Sequence, residues 1–183
     1  MDNFPDCFSF NLVNQKEKEK DKIRVQELND VVLRISPLHQ TALVITDASI
    51  KNNIATSISH VYIANQLLTK TVHHAAFVTS TEAELFAIRY SINQACSKDN
   101  ISKIVIVTDS IYVAKIIFDS KPYLYQSHTA VILSELQDFF NANCDNSIKF
   151  WECPSHLKWR FHYDVDKDSK LFHPTPTYPC KIS

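Results

Sequence analysis

Two blocks of apolar residues, each closed by Thr-Asp, frame this chain. Ala42-Leu-Val-Ile-Thr46 runs into Asp47, and Ile104-Val-Ile-Val-Thr108 runs into Asp109. Short, nearly continuous β-branched runs read as buried strands, and the second reads as central in its sheet. Ala55 to Ala64 and Leu67 to Ala76 mix small, polar and β-branched residues, as further strands do. Asn52-Asn53 and Asn65-Gln66 supply short turns, so the three strands beginning at Thr41 should be consecutive and antiparallel. Leu85, Ile88, Ile92 and Ala95 then recur at helical spacing. Ser80 and Thr81 are N-cap candidates for that helix, and Glu84 completes a capping box three residues after Thr81. Ser110 to Ser120 predicts a short helix with Val113, Ile116 and Ile117 inward. Thr129 to Asn141 predicts another, using Ile132, Leu133, Leu136 and Phe140. Ile148 to Cys153 predicts a fifth strand, stopped by Pro154. The order βββ-α-β-α-α-β implies an α/β fold with a mixed five-stranded sheet and helices on both faces, followed by a carboxylate-bearing tail.

Residues 1–38 have a different character. Gln15-Lys-Glu-Lys-Glu-Lys-Asp-Lys22 is a mixed-charge run, and Ile23 to Ile35 has only weak helical periodicity. This segment reads as a charged, solvated lead-in or linker, with Ser36-Pro-Leu-His-Gln40 marking its boundary. One domain over 41–170 and a Pro-rich tail over 171–183 complete the division. No apolar run approaches the roughly 20 residues needed to span a bilayer, and Met1-Asp-Asn-Phe-Pro5 lacks the features of a signal peptide. Five scattered cysteines without a Cys-x-x-Cys pair argue against a disulfide framework or zinc module. The expectation is an intracellular, monomeric chain without a membrane partner.

Two compositional facts sharpen the picture. The formal net charge of −1 means that any grip on phosphates must be local, and Lys158, Arg160, Lys167 and Lys170 offer such a patch. Glycine is absent, so left-handed turn positions should fall to Asn or Asp, with Asn52-Asn53 and Asn141 to Asn146 the expected places.

On this topology Asp47 and Asp109 should share one end of adjacent central strands. Glu84 would face them from the first turns of its helix, and Asp166 would approach from beyond the fifth strand. Buried acids are costly unless something positive neutralises them. Oxygen ligands without cysteine favour a hard cation, Mg²⁺ or Mn²⁺. Two such ions about 3.5–4 Å apart can activate water and stabilise the leaving oxygen of a phosphodiester. Either acid alone could be a solvated turn residue, but the matching contexts of the pair argue otherwise. His73-His74, in a strand, should point to opposite faces and be structural. Trp151 and Trp159 read as packing residues.

Residues 42–168 resemble the ribonuclease H fold, and in particular the type 1 ribonuclease H domains attached to reverse transcriptases. Thr108-Asp-Ser-Ile-Tyr-Val113 is similar to that family's Thr-Asp-Ser-x-Tyr motif. Ala83-Glu-Leu-Phe-Ala-Ile88 resembles its catalytic helix, Thr46-Asp-Ala-Ser49 its Asp-Gly-Ser strand end, and His156 with Asp166 its ten-residue His-to-Asp spacing. Those contexts favour Glu84 over Glu82, and Asp166 over Asp164 and Asp168. Thr79 to Gln94, Phe150 to Ser155 and Pro174 to Cys180 further resemble fungal non-long-terminal-repeat retrotransposon polyproteins.

The resemblance implies that Asp47 bridges two metals, that Glu84 and Asp109 complete one metal site, and that Asp166 holds the other. It gives His156 a part in water activation or product release from a loop. Asn53 matches a polar position that touches the hybrid in the minor groove. Ser80, and Ser49 and Ser110 beside the strand-end acids, join it as nucleic-acid-binding candidates. The implied activity is endonucleolytic hydrolysis of the RNA strand of an RNA–DNA hybrid, with a reverse transcriptase domain of a parent polyprotein as a further partner. The chain departs from the pattern in places. Ala48 replaces Gly, Ile111 stands where Gln is common, and Leu157 to His162 replaces a Gly-Asn motif. Pro174 and Pro176 cut short the helix that usually follows the last acid. These departures leave an alternative, a degenerate module that binds nucleic acid or a partner protein without cleavage.

Overall fold

Strict alternation along the strand β2 (Thr41–Lys51) divides the molecule into two layers. Ala42 and Val44 face one core, while Leu43 and Ile45 face the other. Neighbouring strands extend both faces, because side chains alternate sides with a period of two. The computed structural model describes residues 8–11, 18–118 and 126–174. The elements are β1 (Phe8–Asn11), α1 (Lys18–Ile35), β2, β3 (Ile54–Ile63), β4 (Gln66–Ala76), α2 (Ser80–Cys96), β5 (Lys103–Thr108), α3 (Ile111–Phe118), α4 (Gln126–Ala142), β6 (Ser147–Glu152) and α5 (Arg160–Leu171).

The mixed five-stranded sheet expected from the sequence is present in the order β6-β5-β2-β3-β4, and the short β1 extends it in parallel beside β6. Strands β2, β3 and β4 form an antiparallel meander, while β5 and β6 join β2 in parallel. Strand β5 is central, as its apolar run implies. The pairing Ile45↔Val107 carries the ladder to the point where Asp47 and Asp109 come level at the ends of the apolar runs.

Helices α2, α3 and α4 cover one face. Leu85, Ile88, Ile92, Val113, Ile117, Ile132 and Leu136 pack there against Val44, Ile104, Ile106 and Phe150. The other face was not expected in this form. The lead-in holds an 18-residue helix, α1, whose Leu28 and Val31 are 1% and 5% exposed against Leu43, Ile45 and Val105. Trp159 caps this layer as a packing residue, donating from Nε1 to Asn29 Oδ1 at 3.0 Å. A narrow apolar stripe on a charged helix gives little local periodicity; docking stabilises it. The expected tail is likewise partly a helix, α5, which lies across β2 and β3 and ends before Pro174. The start of the charged lead-in (1–7 and 12–17), the end of the helix expected at Ser110 to Ser120, and most of the Pro-rich tail (175–183) lie outside the described residues.

The glycine-free turns follow the expectation in part. Asn52 and Asn53 have φ of 53° and 60°, and Ala64 shares the next turn with Asn65. Residues 141–146 need no left-handed residue; Asn143 Oδ1 accepts from Asp145 N at 3.0 Å and closes that turn. Phe77 and Lys158 also adopt positive φ, at 58° and 50°, each at a cost of about 1–2 kcal/mol.

If α1 is a docked part of the domain, Leu28→Ala should destabilise it by about 2–4 kcal/mol. Leu33→Ala on its exposed side should cost under about 0.5 kcal/mol. Urea unfolding of the two variants checks the contrast.

Candidate active site

The acids gather where β5 ends and β2 continues past it. Asp47 lies on β2 with the parity of Leu43 and Ile45, so it faces α5; Asp109 follows Val105 and Val107 on the same side. Helix α5 answers with three residues spaced by four and three positions, His162, Asp166 and Ser169. His162 Nε2 lies 4.0 Å from both Asp47 Oδ1 and Asp109 Oδ2. One ligand atom from each of these three residues falls within 4.8 Å of the other two. Ser169 Oγ donates to Asp47 Oδ2 at 2.7 Å and fixes its rotamer.

Glu84 enters from α2 on the opposite layer. The capping box that brings it there differs from the expected one. Thr79, not Ser80 or Thr81, is the N-cap: its Oγ1 accepts from Glu82 N at 3.2 Å, and Glu82 Oε2 accepts from Thr79 N at 2.7 Å. Glu82 takes the capping role because its position faces solvent. Glu84, two residues on, is buried, and its Oε2 has no hydrogen-bond partner.

Asp166 stands at the outer rim of the group, half-buried and paired with Lys170 Nζ at 2.6 Å, and its charge still acts on Asp47 and Asp109. Its competitor Asp168 points elsewhere, bridging His60 Nε2 at 2.9 Å and Lys70 Nζ at 2.6 Å, which pins α5 to β3 and β4. His156 lies apart from the acids on an exposed 3₁₀ turn (Ser155–Leu157), with Nε2 3.3 Å from Asp21 Oδ1. Ser49 is engaged with the end of α5, donating to the Ser169 carbonyl at 2.9 Å, with His173 Nε2 3.0 Å away. Asn53 and Ser80 are exposed, and Ser110 is half-buried beside Asp109. His73 packs against Phe86 and Tyr90, in a structural role.

His162 and Ser169 were not among the residues singled out from the sequence. The one available signal was their spacing around Asp166 on a single helical face.

The electrostatics are those of an unfinished site. Burial raises the Asp47 carboxyl to about 6; Ser169 and His162 pull it back, while Asp109 and Asp166 add to the rise. Asp109 is raised by burial and by Asp166, against the pull of His162. Glu84 is pushed well above the usual carboxylate range by burial, Asp109 and Asp47, with a backbone hydrogen bond from Ala48 opposing. Asp47 and Glu84 are buried and Asp109 and Asp166 partly open, so a cation can enter from the Asp109 side. The donor set fits a divalent cation: carboxylate oxygens converge, and Glu84 Oε2 and His162 Nε2 are buried polar atoms without hydrogen-bond partners. A groove of about 680 Å³ lies at the opposite end of the sheet around Gln40, Ser102 and Asn146, and holds no part of this group.

The RNase H family pattern matches residues 39–160, from the start of β2 to the start of α5. This chain belongs to the RNase H family. Family members are divalent-metal-dependent hydrolases that bind RNA–DNA hybrids. The fold agrees with solved structures. RNase H1 from the halophilic archaeon Halobacterium salinarum NRC-1 superposes with a TM-score of 0.51 at 12% identity, covering 70% of this chain and 98% of that one. LC11-RNase H1, isolated from compost by a metagenomic approach, gives 0.53 at 12% identity, covering 72% and 99%. At that identity the likeness concerns the fold. None of the curated proteins matches the chain.

Raised acids carry a stability signature. A carboxyl whose folded pKa exceeds its unfolded value binds protons more tightly when folded, so stability falls as pH rises between the two values. For Asp47 the window runs from 3.8 to about 6, worth up to about 3 kcal/mol. Metal-free Asp47→Asn should therefore match the wild type near pH 4 and exceed it in stability above pH 6. Denaturant midpoints across that range, in chelator, check the sign.

Proposed function

We propose that this chain is an endonuclease that hydrolyses the RNA strand of RNA–DNA hybrids at the Asp47–Asp109 centre. The observation that carries the reading is the convergence of two strand-end acids with a buried Glu84 whose Oε2 has no hydrogen-bond partner, inside a chain of the RNase H family. Asp47 and Asp109 would hold the cations at the centre, with Glu84 and Asp166 completing the ligand set from either layer. When bound, a pair of Mg²⁺ or Mn²⁺ ions supplies an activated water and charge stabilisation at the scissile phosphate.

The chain's own groups prepare that chemistry. Ser169 Oγ holds Asp47 in one orientation, and Lys170 restrains Asp166 at the rim. His156, which the family resemblance links to water activation or product release, lies apart from the acids on an exposed turn beside Asp21 and would act on the centre only through movement of that turn. Asn53, Ser80 and Ser110 present polar groups toward a hybrid, whose RNA strand differs from DNA by its 2′-OH; Ser49 contributes by bracing α5. Lys158, Arg160 and Lys167, all exposed, supply the local positive charge that a net charge of −1 otherwise denies. The motifs at Thr79 to Gln94 and Phe150 to Ser155 support a retroelement origin, with a reverse transcriptase domain as partner.

A second reading, a hybrid-binding module without turnover, is favoured by one observation. The His162 ring sits 4.0 Å from both central acids and occupies space beside them that a cation would need.

Incubating the purified chain with a labelled hybrid and Mg²⁺, then Mn²⁺, separates the two. Wild-type protein should release RNA fragments, and Asp109→Asn should cut at a rate lower by roughly a hundredfold or more. Binding of hybrid without cleavage under both metals would favour the second reading.

A further inference from the structure

The acids of this centre leave one buried group without a role: the imidazole of His162. It is 5% exposed, projects from the first turns of α5, and its Nε2 has no hydrogen-bond partner. A buried ring nitrogen without a partner costs free energy unless a ligand satisfies it. The atom is not loosely placed. It lies 4.0 Å from one oxygen of each central acid, and no other histidine, cysteine or acid among the described residues joins these three in so close a group.

That separation is too long for a hydrogen bond but suits a shared ion. Two coordination bonds of about 2.1 Å each can span it. The geometry points to His162 as a nitrogen ligand of the cation held by Asp47 and Asp109, giving a mixed N/O centre that prefers Mn²⁺ to Mg²⁺. This inference rests on the metal-dependent reading of the same centre. Mg²⁺ takes oxygen ligands in near-ideal octahedra and gives up water reluctantly, whereas imidazole suits first-row transition ions. Replacing one oxygen by a ring nitrogen therefore weakens Mg²⁺ relative to Mn²⁺. The helix supports the placement: Asp166 and Ser169 follow His162 by four and seven residues, and the bond from Ser169 to Asp47 holds this face of α5 against the centre.

The test uses the full-length chain and Mn²⁺ alone, followed by electron paramagnetic resonance, with Mg²⁺ affinity obtained by competition. The first equivalent of Mn²⁺ should bind at least about tenfold more tightly than Mg²⁺ and show ¹⁴N modulation from a directly bound imidazole. His162→Asn, with its fold checked by circular dichroism, should lose the ¹⁴N signal and about tenfold in Mn²⁺ affinity while its Mg²⁺ affinity stays within about threefold. Mn²⁺ bound by the wild type without nitrogen modulation would overturn the assignment, and that measurement requires no variant. Tighter Mn²⁺ binding by His162→Asn would also overturn it, marking the ring as a resident positive charge. Asp109→Asn separates the two levels. If it binds Mn²⁺ like the wild type, the metal centre itself is refuted; if it loses Mn²⁺ while the wild type shows no nitrogen signal, only the role of His162 fails.

Discussion

Mutual repulsion among buried carboxylates is the constraint around which this protein is arranged. Parallel pairing of β2 and β5 brings Asp47 level with Asp109, and α2 delivers Glu84 from the other layer with one oxygen unsatisfied. Asp47, Asp109 and Asp166 each raise the proton affinity of at least one neighbouring acid. Such an arrangement lowers stability in the absence of a cation, and it persists because the surrounding structure leaves no alternative. The strands are fixed by apolar contacts on both faces, with Val44, Ile45, Ile106 and Val107 all fully buried. Strain of this kind at one locus, supported by a well-packed frame, is the usual mark of a functional centre.

Helix α5 turns that frame into a site. Its Val165 enters the second core, its Asp168 is clamped by His60 and Lys70, and its remaining polar face is then directed at the strand ends. Burial works against the charge on Asp168, but Lys70 and His60 outweigh it and hold the carboxyl below its usual range. One helix thus carries an acid clamped against β3 and β4 and an acid paired only within the helix, to Lys170. The first anchors the helix, and the second, Asp166, stays at the rim of the centre. Helix α1 supports the same layer from behind, through Leu28 and the Trp159–Asn29 hydrogen bond.

The sheet could be read from the sequence because its strands announce themselves locally. The apolar runs closed by Thr-Asp gave the positions of Asp47 and Asp109, and parallel pairing made them neighbours. Glu84 was legible as a site residue, but its capping role was not. Both Thr79 with Glu82 and Thr81 with Glu84 satisfy the capping-box spacing, and only burial decides between them. Helices α1 and α5 were missed for one reason. Each is mostly polar, with a few buried residues whose partners lie far away in sequence, so low overall hydropathy hides it as a core element. His162 was hidden with α5, since only a helix brings it onto one face with Asp166 and Ser169. His156, by contrast, stood out by its ten-residue spacing to Asp166, and the structure puts it on an exposed turn beside Asp21.

The dependence of this arrangement on a cation is open to direct measurement by calorimetry of the wild-type chain near pH 8, with and without Mg²⁺ or Mn²⁺. A ligand that binds the folded state at about a hundredfold excess over its Kd stabilises by about 2.7 kcal/mol. The melting temperature should therefore rise by roughly 5 °C or more, and Asp47→Asn should lose most of that rise. An unchanged melting temperature with saturating Mg²⁺ and Mn²⁺ would contradict a metal centre built from these acids.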